Sequence, residues 1–268
     1  MVAVEELGGG LVQLTAVLPH LARTVRPGEF AHLLCGTGVV PLLRRPMSVA
    51  RSDGERCAFV FERVGEGTRR LAALRSGDPL VALGPLGAGF TLPSAGHVVC
   101  VAGGLGCAPF PLTVRAALAA GAERVTVLSG APTAARLYPA ARYGDGDPRV
   151  TVLEATDDGT RGHHGLVTDL VAAAVGGDAG ALLACGPNAM LAALADVVAG
   201  LEAVPAIAEA SLEAPMGCGV GTCLGCALPV RGGDGTAQWA LCCRLGPVMP
   251  LAAVDWVALR ALPPPHVA

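Results

Sequence analysis

The chain has 268 residues, 52% of them apolar and 15% charged, with a formal net charge of −3. That length and apolar content can fill two or three modest cores, while the mild negative charge excludes the basic footprint of a polyanion-binding protein, so no nucleic-acid partner is expected. All 19 basic residues are arginine, which excludes Schiff-base and lysine-nucleophile chemistry.

From the N-terminus, Glu5 and Glu6 stand where a secretory signal needs basic residues and then an apolar core. Every long apolar run is interrupted by Arg, Asp, Gly or Pro before it reaches bilayer-spanning length. A cytoplasmic protein without membrane segments is expected. Residues 1–95 carry short apolar runs at 11–17, 29–34, 48–51, 57–63 and 79–83, separated by Gly and Pro turns. This spacing predicts an antiparallel β-barrel domain with one helix at 68–74. Over 96–206 the rhythm changes: strand patterns at 97–102, 124–129, 150–154 and 181–185 alternate with helix patterns at 110–120, 166–175 and 189–201. Alternation of that kind builds a doubly wound parallel sheet, an α/β nucleotide-binding domain. Residues 207–268 are Gly- and Cys-rich with little apolar periodicity. A small domain of that composition needs a staple to fold.

The cysteines supply a candidate. Five of the ten lie within 218–243, a clustering that in a cytosolic chain points to metal or redox work. Cys218, Cys223 and Cys226 have the C-x4-C-x2-C spacing of plant-type [2Fe–2S] sites. Gly217, Gly219, Gly221 and Gly225 let the backbone wrap an inorganic core and aim its N–H groups at sulfur. Buried structural thiols or a four-cysteine zinc site are the alternatives, but zinc sites pair their ligands as two short knuckles, whereas three here share one loop. Cys242 and Cys243 are adjacent, so spacing alone leaves the fourth ligand open between them.

Other motifs lie upstream. Arg44-Arg45-Pro46-Met47-Ser48 opens a strand, where an arginine and a hydroxyl on alternate positions meet the same side and can face a diphosphate and a flavin edge. Gly65-Glu66-Gly67-Thr68 stands at a helix start, where main-chain N–H groups receive phosphate. Gly103, Gly104 and Gly106 fall between a strand and a helix, the context of a nucleotide-binding turn, although the segment runs on to Pro109 and departs from the standard dinucleotide fingerprint. Cys185-Gly186-Pro187 ends a strand at the sheet edge where α/β ligands bind. A solvated loop, an ordinary helix cap and a buried thiol would explain these pieces singly. Their order is what separates the readings.

In that order, Arg-Pro-x-Ser, Gly-x-Gly-Thr, Gly84-Pro-x-Gly-x-Gly-Phe90, Gly103-Gly-x-Gly-x-x-Pro109, Cys-Gly-Pro and the cysteine loop resemble the ferredoxin-reductase-type flavoproteins. Among these the chain is most similar to the electron-transfer subunits of NAD-dependent dihydroorotate dehydrogenase. The resemblance spans nearly the whole chain. It implies an FAD-binding barrel over 1–95, an NAD-binding domain over 96–206 and a [2Fe–2S] domain over 207–268. It carries FAD contacts to Arg45, Pro46, Met47, Ser48, Gly67 and Thr68, and nicotinamide-nucleotide contacts to Gly103, Gly104, Gly106, Cys185, Gly186 and Pro187. The family's last cluster cysteine stands three residues before Gly-Pro-Val, here Gly246-Pro247-Val248, which gives Cys243 the ligand role beside Cys218, Cys223 and Cys226.

The implied partner is an FMN-containing dihydroorotate dehydrogenase catalytic subunit, in a heterotetramer serving pyrimidine biosynthesis, with no catalytic acid or base in this chain. Subunits of the same build that serve a hydrogenase, a sulfide dehydrogenase or a ferredoxin:NADP oxidoreductase share every motif. NAD is implied by the family alone: no acidic residue follows 125–129 to grip a ribose hydroxyl, and Arg136 is positioned to approach a 2′-phosphate. Met47 replaces an aromatic that is frequent in the wider superfamily, Ala102 stands where the family often has glycine, and Cys107-Ala108 replaces the usual pair before the proline.

Overall fold

The computed structural model describes residues 2–36 and 40–262. The first part of the chain forms β1 (Val2–Gly8), β2 (Leu11–Val17), α1 (Pro19–Thr24), β3 (Phe30–Leu33), β4 (Arg45–Ser52), β5 (Arg56–Glu62), α2 (Glu66–Ala72) and β6 (Ala82–Leu86). The six strands pair antiparallel in the order β1-β2-β5-β4-β3-β6. Leu14, Ala31, Leu33, Met47, Phe59 and Phe61 are buried together as the core of this unit. Each such Leu or Phe contributes about 1.5–3 kcal/mol by leaving water.

Alternation along β3 sends its two faces to different neighbours. Ala31 and Leu33 join that core. Phe30 instead joins a second core that contains Cys226, Cys242 and Cys243, and His32 shares its side, tilted against Phe30 at 5.7 Å between ring centres.

The central part runs β7 (His97–Gly103), α3 (Phe110–Ala120), β8 (Arg124–Ala131), α4 (Ala141–Gly144), β9 (Val150–Thr156), β10 (His163–His164), α5 (Val171–Val175), β11 (Ala179–Cys185), α6 (Asn188–Ala199) and β12 (Ile207–Ser211). The C-terminal part adds β13 (Ala227–Arg231), β14 (Ala237–Leu241), α7 (Cys242–Leu245), β15 (Val248–Pro250) and α8 (Trp256–Ala261). Seven strands form one sheet ordered β10-β9-β8-β7-β11-β12-β15, parallel except for the last pair. Its central strands β7 and β11 are near-continuous apolar runs because both faces are covered. Phe110, Val114 and Tyr143 pack on one face over Val98, Cys100 and Val127. Val171, Leu191 and Leu194 pack on the other over Val99, Val101 and Leu182. The strand order reverses between β7 and β11, which opens a crevice at their carboxyl ends.

Several expectations need correcting. The strand expected at 79–83 is β6, three residues later, because Gly84 and Pro85, ordinarily breakers, lie inside it. The helix expected over 166–175 is a 3₁₀ turn at Val167–Leu170 followed by the short α5. β1 and α1 were not expected. The third segment does not stand apart as a separate unit over 207–268: β12 and β15 pair into the central sheet, leaving the β13–β14 hairpin and the cysteine loop outside it. Ion pairs tie the first sheet to the second unit, Arg142 to Glu5, Arg51 to Asp145 at 2.6 Å and Arg136 to Glu62 at 2.8 Å. Among the described residues no helix is long and apolar enough to cross a membrane.

Candidate cluster, flavin and nucleotide sites

The cysteine loop spans 216–226, between β12 and β13. Its turns bring main-chain N–H groups onto one sulfur: Val220, Thr222 and Cys223 donate to Cys218 Sγ at 3.4, 3.3 and 3.4 Å. Those donors, with the Cys223 thiol, lower the Cys218 thiol to about 6. Cys226 and Cys243 form the other pair: the Cys243 N–H donates to Cys226 Sγ at 3.5 Å, and burial, then the neighbouring Cys226, raises the Cys243 thiol to about 11. The four thiols therefore stand as two pairs. Among the described residues no three His, Cys, Asp or Glu side chains converge as ligands of a single metal ion do. Cys242 is fully buried and turns its thiol toward the Leu212 carbonyl at 3.7 Å.

In β4, Arg45 and Met47 lie opposite Leu33 and Ala31, while Pro46 and Ser48 lie opposite His32 and Phe30. Arg45 and Ser48 thus take opposite faces, and the arginine whose position alternates with Ser48 is Arg44. Arg45 reaches α2 instead. Its guanidinium covers Gly67, where a Cβ would come within 3.0 Å of Nε, so a larger residue there would press on the Arg45 side chain. The Thr68 hydroxyl is engaged in the turn before α2, accepting from the Val64 and Gly65 N–H groups at 3.0 and 3.2 Å. Arg44, the neighbour of Arg45, has Nη1 buried without a hydrogen-bond partner among the described residues, as do both ring nitrogens of His32. Sequence reasoning missed His32 and missed Arg44 as a separate actor. Burial, then the Arg44 charge, lowers the His32 imidazole below its ordinary value and keeps it neutral.

The nucleotide segments meet at the crevice. Gly103 ends β7 and the 3₁₀ turn Gly104–Cys107 follows. Cys185 ends β11 beside Ala102, and Pro187 precedes α6. A Cβ on Gly106 would collide with the Cys185 carbonyl, and one on Gly103 with the Met190 sulfur, so the two turns are in contact. Burial, then the Glu213 charge, pushes the Cys185 thiol up to about 12, which keeps it protonated. Asn188 clamps the Glu213 main chain with hydrogen bonds of 2.9 and 3.1 Å. Arg136, expected to be available for a 2′-phosphate, is paired with Glu62.

Comparison with known proteins gives this geometry a family. The family model for the iron-sulfur cluster binding domain of dihydroorotate dehydrogenase B matches residues 213–255, which contain all five cysteines just described, three in the loop and two in α7. The dihydroorotate dehydrogenase B (NAD(+)) electron transfer subunit of Desulforamulus reducens is 39% identical over 243 residues, 89% of this chain and 90% of that protein. The chain belongs to this family of electron transfer subunits. The corresponding subunit of Geobacillus thermodenitrificans is 36% identical over 241 residues, 88% and 89% of the two chains. Among solved structures, an NADH-dependent reduced ferredoxin-NADP oxidoreductase matches with a TM-score of 0.82 at 26% identity, over 97% of this chain and 90% of that one. A ferredoxin reductase from carbazole 1,9a-dioxygenase matches with a TM-score of 0.63 at 22% identity, over 75% and 64%, a likeness of fold. This chain thus has a ferredoxin-reductase-like architecture of β and α/β parts with an iron–sulfur domain.

Proposed function

We propose that this chain passes electrons from an FMN-containing dihydroorotate dehydrogenase catalytic subunit to NAD⁺, holding one [2Fe–2S] cluster and one FAD. The observation that carries this reading is the shared core: Phe30 from the first sheet, Cys226, Cys242 and Cys243 from the cysteine segment and Val99 and Leu182 from the central sheet are buried as one contiguous cluster. The first sheet, the central sheet and the cysteine segment thus share one core, which suits short transfers between groups held on them.

The residues fit each group. For a [2Fe–2S] cluster, two thiol pairs match two irons, and N–H groups already converge on Cys218; Cys218, Cys223, Cys226 and Cys243 would hold it. For FAD, the Arg45 guanidinium over Gly67 suits a diphosphate, and Pro46, Met47, Ser48 and Thr68 line the same two segments of a barrel-like unit over about 1–95. For NAD, Gly103, Gly104 and Gly106 meet Cys185, Gly186 and Pro187 at the crevice of a unit over about 96–206. The remaining residues would form the cluster domain, with β12 and β15 lent to the sheet.

Bound together, these groups supply the conversion between one-electron carriage by iron–sulfur and two-electron exchange with nicotinamide through the flavin. The chain binds, orients and tunes. Arg45 neutralises phosphate charge. The N–H groups of Val220, Thr222 and Cys223 offset negative charge on the Cys218 sulfur, and the protonated Cys185 shapes the nicotinamide end without adding a charge. No side chain here acts as acid or base toward the pyrimidine.

Leu224, Val220 and Leu245, 63%, 47% and 66% exposed, form an apolar rim on the cysteine loop and α7, suited to docking the catalytic subunit in a heterotetramer. The likeness to the ferredoxin-NADP oxidoreductase favours a rival subunit of the same build serving another oxidoreductase. Anaerobic purification with whatever binds, cofactor analysis and a dihydroorotate-to-NAD⁺ assay decide between them. NADH formation from dihydroorotate supports this reading; reduction of NAD⁺ with sulfide or ferredoxin but not with dihydroorotate refutes it.

A further inference from the structure

His32 is a buried polar group that the reading above does not use. It lies on the face of β3 turned toward the cysteine segment, is wholly buried and leaves both ring nitrogens without a partner among the described residues. A buried imidazole in that condition is costly unless something bound to the protein completes its hydrogen bonding. Its surroundings indicate where that something lies. Gly219, the residue after Cys218, has φ +74° and is approached so closely that a Cβ there would come within 2.8 Å of His32 Cε1 and 2.9 Å of Nε2. Any other residue at 219 would push the ring away from the loop. The Nε2 edge thus abuts the segment whose N–H groups already converge on the Cys218 sulfur. Across the sheet, His32 pairs with Pro46 of the flavin segment, so the imidazole stands between the two cofactor sites.

We propose that His32 is a positioning residue that tunes the [2Fe–2S] cluster, its imidazole N–H donating to a sulfur of the cluster held by the Cys218 loop. The proposal rests on reading the four cysteines as the cluster site. A hydrogen bond to sulfur stabilises the more negative, reduced state and raises the potential. A neutral imidazole has one N–H to give. The other nitrogen requires a donor, and Arg44, whose Nη1 is also buried without a partner, is a donor on the same segment.

The test is a redox titration of the FAD- and cluster-loaded chain, followed by electron paramagnetic resonance for the cluster and by absorbance for the flavin. In His32→Phe the reduction equilibrium of the cluster should fall about tenfold, about 59 mV for a one-electron couple, with the flavin unmoved; His32→Gln should recover part of the shift. In the wild type, a nitrogen isotope label on the histidine ring should produce a hyperfine coupling to the reduced cluster. That measurement decides the matter even if the Phe variant fails to fold. A cluster equilibrium unchanged in His32→Phe, a shift confined to the flavin, or no histidine coupling in the wild type overturns the proposal. A wild-type chain that binds zinc and no iron overturns the cluster reading beneath it.

Discussion

Arg45→Ala is the substitution whose consequence the geometry defines most closely. The Arg45 guanidinium lies over Gly67, and among the described residues its only hydrogen bond is from Nη1 to the Leu43 carbonyl at 2.8 Å. It makes no ion pair among them, so its charge is available for a diphosphate. A charge-assisted hydrogen bond contributes about 1.5–3 kcal/mol, and loss of one or two that are not additive should cost FAD binding about 3 kcal/mol, on the order of 150-fold in Kd. Lysine should restore only part of this, since a point charge cannot fork onto two phosphate oxygens. The assay is flavin-fluorescence titration of flavin-stripped protein with the cluster intact, alongside thermal unfolding to show that the fold persists. A Kd for FAD in folded Arg45→Ala within about threefold of wild type, well below the cost of one charge-assisted bond, would refute the assignment of Arg45 to the phosphates.

Cys243→Ser should abolish the iron–sulfur absorbance, whereas Cys242→Ala should keep it and lose about 1 kcal/mol of stability for the small cavity left beside Leu212; iron content and denaturant melts check both. Leu224→Arg puts charge on the exposed apolar rim and should abolish co-purification with the catalytic subunit while FAD and iron stay bound, read by size exclusion and cofactor analysis. The Arg51 guanidinium holds the Asp145 carboxyl below its ordinary value of 3.8, and a depressed carboxyl stabilises the fold above its unfolded pKa and loses that stability as pH falls through the folded one. Acid unfolding from about pH 4 downward should therefore be less steep in Asp145→Asn than in wild type, as pH-dependent melts would show.

How much of this could be read from the sequence varies with the kind of signal. β2 and α3 match their expected limits because 11–17 and 110–120 are uninterrupted patterns of a single period. β1 was not read: Glu5 and Glu6 interrupt its apolar pattern, and they serve there to pair with Arg142 and Arg63 across the fold. α1 has six residues, too few to display a helical period. The cysteine loop stands out in the sequence because its cysteines and glycines sit close together. The choice between Cys242 and Cys243 is open on spacing, and the contact of the Cys242 thiol with the Leu212 carbonyl arises only through the packing of α7. His32 was illegible: one histidine in an apolar strand carries no local signature, and the approach of Gly219 from far along the chain cannot be read from the strand itself. The face taken by Arg45 follows from its pairing with Leu33, which leaves Arg44 as the arginine in alternation with Ser48.

The central claim is that electrons reach NAD⁺ through both groups held by this chain. The most direct measurement is NADH formation from dihydroorotate by the purified complex, wild type against Cys226→Ser with FAD content matched. The account predicts one NADH per orotate in the wild type and none above background in the cluster-free variant; equal NADH formation by both would contradict it.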